Sequence, residues 1–181
     1  GNSANQRHVR QKRIQKNPDK IVLSEFLIFI QKQQKDFDGA FVQSRALDKR
    51  LKEDGNRIFD LAKICTNNQQ WETAKRCYDY IIEKGPDNLY YDAAIIDGIN
   101  VEYLSVTQKS QPTQEELLAL EIKLAKANGK YKQSFLNAQI LKNLVSLKAF
   151  YLSKTEGAIH LLQNFIDQSG MDAAAKAEYK I

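Results

Sequence analysis

Apolar residues along this chain recur three and four positions apart, the spacing that lays them along one face of an α-helix. The clearest case lies between residues 56 and 88. Ile58, Leu61, Ala62 and Cys65 form one stripe, the polar run Asn67-Asn68-Gln69-Gln70 interrupts it, and Trp71, Ala74, Tyr78 and Ile81 form a second. Gly85-Pro86 closes the second helix, because glycine admits the left-handed conformation and proline cannot extend the hydrogen-bond ladder. Small Ala62 and Ala74 let the paired helices approach closely. Trp71 and Ala74 are expected to be buried where the second helix meets its neighbours.

The unit recurs. Upstream, Leu27 and Ile28 precede the polar turn Lys32-Gln33-Gln34-Lys35. The pair Phe37/Ala40 then matches Trp71/Ala74, and Leu47 falls where Ile81 does, at an offset of 34 residues. Glu53-Asp54-Gly55 closes this unit. Downstream, Tyr90, Ala93, Ala94, Ile95, Ile99 and Tyr103 predict a helix over roughly 89–107. Thr113 with Glu115 and Glu116 predicts the next helix start, acids being favoured in a first turn. Leu117, Leu120, Leu124 and Ala127 continue it, and Asn128-Gly129 is expected to end or bend it. A further pair is predicted from Leu136, Ile140, Leu144, Leu147 and Ala149, then Ala158, Leu161, Leu162 and Phe165. The resulting organisation is a basic segment or partial helix over 1–19, repeats at 20–54 and 55–88, a divergent one at 89–130, another at 131–170, and a partial unit at 171–181. The predicted fold is all-α: a solenoid of antiparallel helix pairs in right-handed α-α superhelical succession.

A helix–turn–helix unit of this length resembles the tetratricopeptide repeat, which buries its core only by stacking on neighbouring units. More narrowly, RALDKRLKEDGNRIFDLAKI, WETAKRCYDYIIEKGP and LKAFYLSKTEGAIHLLQNFI are similar to parts of the large multi-repeat proteins of Bacteroidetes bacteria. The resemblance implies a helical solenoid without catalytic residues, and an exported or periplasmic setting. One tetratricopeptide subclass grips carboxylate-terminated tails with Lys, Arg and Asn of the inner groove. The matching stripe here is Phe59, Lys63 and Asn67, flanked by Glu25 and Phe29 before it and by Tyr90, Ala93 and Asp97 after it. Only Lys63 has the required character, so that specificity does not carry over.

Charge refines the picture. The chain of 181 residues carries a formal +5. Arg7, Arg10, Lys12, Arg13, Lys16 and Lys20 stand against Asp19 alone in residues 1–20, so the excess belongs to that end and the remainder is balanced. A nucleic-acid face would need basic residues along the fold itself. Ile21 to Ile30, the best apolar run, holds Ser24 and Glu25 and is too short to span a bilayer. The chain opens on glycine and its single Met is Met171, so Gly1 reads as a remnant of processing or expression and the array is expected to continue past Ile181.

Catalytic chemistry has little to stand on. His8 and His160 are remote from each other, and His160 reads as a rim residue. Glu115 and Glu116 are adjacent and so diverge on a helix. Gly129-Lys130 lacks the rest of a phosphate loop. Two cysteines and two distant histidines cannot close a zinc site. Cys65 reads as a small buried hydrophobe, Cys77 neighbours the stripe, and a disulfide between them is permitted but not demanded. The predicted function is a non-enzymatic scaffold, without cofactor or small-molecule substrate, that binds a protein or peptide through its concave face. Phe59, Lys63, Asn67, Tyr90 and Asp97 are the candidate contacts. The alternative is a module for an anionic surface or nucleic acid that uses the basic segment.

Overall fold

The computed structural model describes residues 18–132 and 137–168. Among them are eight α-helices, one π-helical turn and no strand. The all-α expectation holds. The chain divides into two compact units, up to Val101 and from Glu102 onward.

The first unit contains α1 (Pro18–Gln33), α2 (Phe37–Leu51), α3 (Asn56–Asn67), α4 (Trp71–Ile82) and the opening part of α5 (Tyr91–Thr107). α1 packs on α2, α2 on α3, and α3 on α4. Connections of three or four residues favour antiparallel packing of consecutive helices. Both short turns have the same geometry. Lys35 and Gln69 sit in the left-handed region at φ 60° and 59°. The following amides bond back over five residues, Asp36 N to Gln31 O at 2.8 Å and Gln70 N to Cys65 O at 2.9 Å. This is the Schellman closure, which satisfies the last carbonyls of the first helix. Five positions after each left-handed residue stands a fully buried alanine, Ala40 or Ala74.

Asp36 caps α2 by accepting from the Gly39 amide at 2.9 Å. Gly55, at φ 94°, occupies the N-cap of α3, where a side chain would be strained. Ile58, Leu61, Ala62, Cys65, Ala74, Cys77, Tyr78 and Ile81 make the core with Phe37, Ala40 and Phe41 from α2 and Ala94 and Val101 from α5. Trp71 departs from expectation. It is only partly buried against this core, because it is the first residue of α4 and lies at the edge of the seam. Cys77, expected beside the stripe, is inside it. Both cysteines are free thiols. The hydrogen bond to Cys65, then burial, push the Cys77 thiol well above its ordinary value.

α1 is apolar on two sides. Ile21 and Ile28 pack with Leu47 and Leu51 of α2. Val22, Leu23, Phe26 and Phe29 are 53–66% exposed.

The second unit contains the end of α5, α6 (Gln114–Lys130), α7 (Asn137–Ser146) and α8 (Thr155–Gln168). α6 begins at a reciprocal capping box, Thr113 Oγ1 accepting from the Glu116 amide at 3.2 Å and Glu116 accepting from the Thr113 amide at 3.0 Å. Asn128-Gly129 marks the end of the helix to within a residue, as expected. The ladder continues to Lys130, and the Tyr131 amide still bonds Ala127 O at 2.9 Å. Tyr131, the C-cap residue, is buried four positions after Ala127. α7 is followed by the π-helical turn Leu147–Tyr151. Ser153 then takes φ 55°, and Ala158, again five positions on, is buried. Leu136 and the partial unit 171–181 lie outside the described residues, as does the basic segment up to residue 17.

Candidate functional site

The wall of the first unit that carries the predicted contacts is built by α3 and the start of α5. Helical spacing puts Phe59, Lys63 and Asn67 on successive turns of one α3 face. Tyr90 is brought beside them by the loop before α5. The Asn88 side chain anchors that loop, donating to Asp54 O at 2.7 Å and accepting from the Tyr90 amide at 2.9 Å. Tyr90 stacks on Phe59 with ring centroids 5.0 Å apart and planes at 29°. Tyr78 meets Phe59 edge-on at 5.9 Å. Lys63 Nζ stands 4.5 Å from the Phe59 centroid, a cation–π contact. The Tyr90 hydroxyl donates to Asn56 Oδ1 at 3.0 Å.

Asp97 completes the group from α5. Burial raises its pKa, and the Lys63 charge partly offsets that. Burial, then the Asp97 charge, push the Tyr78 hydroxyl up. The structure therefore brings Phe59, Lys63, Tyr90 and Asp97 together. Phe59 is only 6% exposed, so it serves as the base on which Tyr90 and Lys63 lie. Asn67 is exposed one turn past Lys63 and takes part in none of these contacts.

Two polar features were not anticipated. Asp48 is fully buried on α2, and its Oδ2 accepts from Tyr80 OH at 2.8 Å and Lys84 Nζ at 2.6 Å. Its signal in the sequence is an acid set between Leu47 and Leu51 on an otherwise apolar stripe. The other is a cavity of about 300 Å³ bordered by α1, α2 and α3. Arg57 lines it, held by both Glu53 oxygens at 3.0 Å and by Glu25 Oε1 at 3.3 Å. Burial works against the Arg57 charge, but the hydrogen bonds and charges of Glu53 and Glu25 prevail and raise its pKa. No single stripe pattern announces this cavity, because its walls come from three helices.

Among the described residues no group of three His, Cys, Asp or Glu side chains is placed to hold a metal ion. His160 lies exposed on α8 and shares a hydrogen bond with Asn164 at 3.1 Å. No helix of the described residues is long and apolar enough to cross a membrane. No protein-family model, curated protein or solved structure matches the chain.

Proposed function

We propose that this chain is a non-enzymatic helical-repeat scaffold of the tetratricopeptide type, a right-handed α-α superhelix that holds an extended peptide or a protein surface against its first helices. Its contact residues are Tyr90, Lys63, Asp97 and Asn67, with Phe59 beneath them. The observation that carries the reading is the stacked Phe59–Tyr90 pair with Lys63 over it. An aromatic platform beside a cation and a carboxylate suits a chain whose side chains alternate in character. The repetition of one turn geometry after 34 residues supports the repeat type.

Site-specific photocrosslinking tests this reading. A benzophenone side chain placed at Asn67 should capture a partner in extracts of the source cell, and Tyr90→Ala/Lys63→Glu should reduce the yield severalfold. The same group at Lys75, exposed on α4, should capture none. Capture from Lys75 alone would move the binding face to the second helices and end the reading.

A second reading, an anionic surface or nucleic-acid module, is favoured by one observation. The outward apolar arc of α1, Val22, Leu23, Phe26 and Phe29, directly follows the basic residues 7–20. A basic run joined to an exposed apolar helix face suits an anionic membrane surface. Such binding would collapse with added salt, whereas docking on the Tyr90 platform would persist.

A further inference from the structure

α1 uses only one of its apolar sides within the chain. Ile21 and Ile28 pack with Leu47 and Leu51 of α2. On the other side Val22, Leu23, Phe26, Leu27 and Phe29 are 41–66% exposed. Together they bare roughly 600 Å² of surface, the upper end of the largest apolar patch an ordinary monomer shows. Two rows run along this arc, Val22-Phe26-Phe29 and Leu23-Leu27-Ile30, each at a spacing of four and then three residues. Helices that seat against one another carry apolar residues at that spacing. Glu25 does not break the rows, because it is drawn aside to Arg57 of α3.

The arc also reads nearly the same in both directions. Reversing α1 about Phe26 exchanges Val22 with Ile30, Leu23 with Phe29, and Asp19 with Gln33. A second α1 laid antiparallel therefore sets apolar side chains against apolar ones, and it brings no like charges together along the seam. Lys20 and Lys32 exchange as well, but each stands about 120° from Phe26 around the helix, off the seam. Self-complementarity of this kind is what a twofold contact between identical chains requires. A parallel pair would crowd the basic runs of residues 7–20 together. In the antiparallel pair the 16 residues of α1 hold them about 24 Å apart, well beyond the screening length of about 8 Å at physiological salt.

We propose that the outward face of α1 is a contact between two copies of this chain, paired antiparallel on a twofold axis at Phe26. Two facing arcs amount to about 1,200 Å², the lower limit of a specific, stable interface, so the dimer is a weak one. The proposal goes beyond the scaffold reading and uses none of its contact residues. Pairing would join two binding walls in one assembly, so that a partner with two recognised segments is held at both. An anionic membrane is the rival occupant of the face.

The test is sedimentation equilibrium of the full chain. Between about 1 and about 300 µM the mean mass should rise toward twice that of one chain, with a dissociation constant in the tens of micromolar. The association should hold or tighten from about 50 to about 500 mM salt, because the contact is apolar and both copies carry a net positive charge. Phe26→Glu, at an exposed position, should leave the thermal midpoint of the dilute chain unchanged and raise the dissociation constant at least about twentyfold. Phe26→Cys should give a disulfide-linked dimer under dioxygen and copper phenanthroline. Phe29→Cys should give far less, since its two copies are offset by about 9 Å along the seam. A chain that stays monomeric throughout, a dimer that survives Phe26→Glu, or equal crosslinking at the two cysteine positions overturns the proposal. So does a monomer that binds phosphatidylserine vesicles and loses them on Phe26→Glu, which would give the face to the membrane.

Discussion

The helix joints of the two units solve one problem with different chain lengths. In the first unit, Lys35 and Gln69 each turn the chain in the left-handed conformation, and the next amide bonds back over five residues. In the second unit Ser153 does the same, but the Lys154 amide bonds back over six residues, to Lys148 O at 2.8 Å. The extra residue is absorbed in the π-helical turn Leu147–Tyr151, ahead of the joint. A buried alanine follows five positions later in all three: Ala40, Ala74 and Ala158. The turn-to-alanine spacing is thus held while the preceding helix yields. Adding a residue inside the turn would rotate the whole second helix by about 100° and swing its apolar face away from its partner. A π bulge confines the disturbance to one turn of backbone.

The units also differ in how they tie helices with charge, and this difference offers the largest predicted effect. In the first, fully buried Asp48 accepts from Tyr80 and Lys84. In the second, Glu121 accepts from Lys148 at 2.5 Å and Lys154 at 2.6 Å and is nearer the surface. Removing the deeper acceptor strands a buried phenol and a lysine, so Asp48→Ala should cost about 3 kcal/mol in urea unfolding, against about 1 kcal/mol for Glu121→Ala. Equal costs would show that burial does not separate the two ties.

Next come the alanines. Ala74→Leu should overpack the α3–α4 seam and lower stability by about 2 kcal/mol, with Ala40→Leu similar. Ala158→Leu, beside the bulged helix, should cost no more than about 1 kcal/mol. An unchanged midpoint for Ala74→Leu would break the equivalence of the three joints.

Acid should act on the units in opposite directions. Burial alone would raise the pKa of Glu121, but hydrogen bonds from Lys148 and Lys154 outweigh it and lower it. The hydrogen bond from Lys109, then the Thr113 amide, bring Glu116 to about 2. Carboxylates depressed in the folded state lend stability above their unfolded pKa and lose it as pH falls through the folded value. Melting of the second unit should therefore weaken from about 4.5 down to about 2, the range set by Glu116. Asp97 of the first unit is raised by burial, so its contribution is fully present below the unfolded pKa and fades as pH rises through its folded one. Residue-resolved hydrogen exchange across this range should show the second unit losing protection first on acidification. Parallel loss in both would refute the assignment.

The smallest effect is a gain. A non-glycine residue in the left-handed region carries about 1 kcal/mol of strain, only partly returned as unfolded-state entropy when glycine replaces it. Gln69→Gly and Ser153→Gly should each stabilise by about 0.5 kcal/mol by thermal melting, and a loss at Ser153 alone would mark its turn as different.

Much of this was readable along the chain. The stripes located α2 through α6, because burial of one helix face imposes its period on residue choice. Thr113 and Glu116 announced a helix start through their own side chains. The 34-residue offset of Phe37/Ala40 and Trp71/Ala74 announced the repeated seam. The joints were legible only as polar runs, since Lys35, Gln69 and Ser153 take a conformation that glycine usually advertises and they do not. The end of α6 is legible for the converse reason. Gly129 announces the stop, and the helix closes one residue later at Lys130. The partners of Asp48 and the cavity at Arg57 depend on which helices meet. A single helix shows only its own period, whereas the partners of this buried acid lie 32 and 36 positions away and the walls of the cavity come from three helices, so packing decides both.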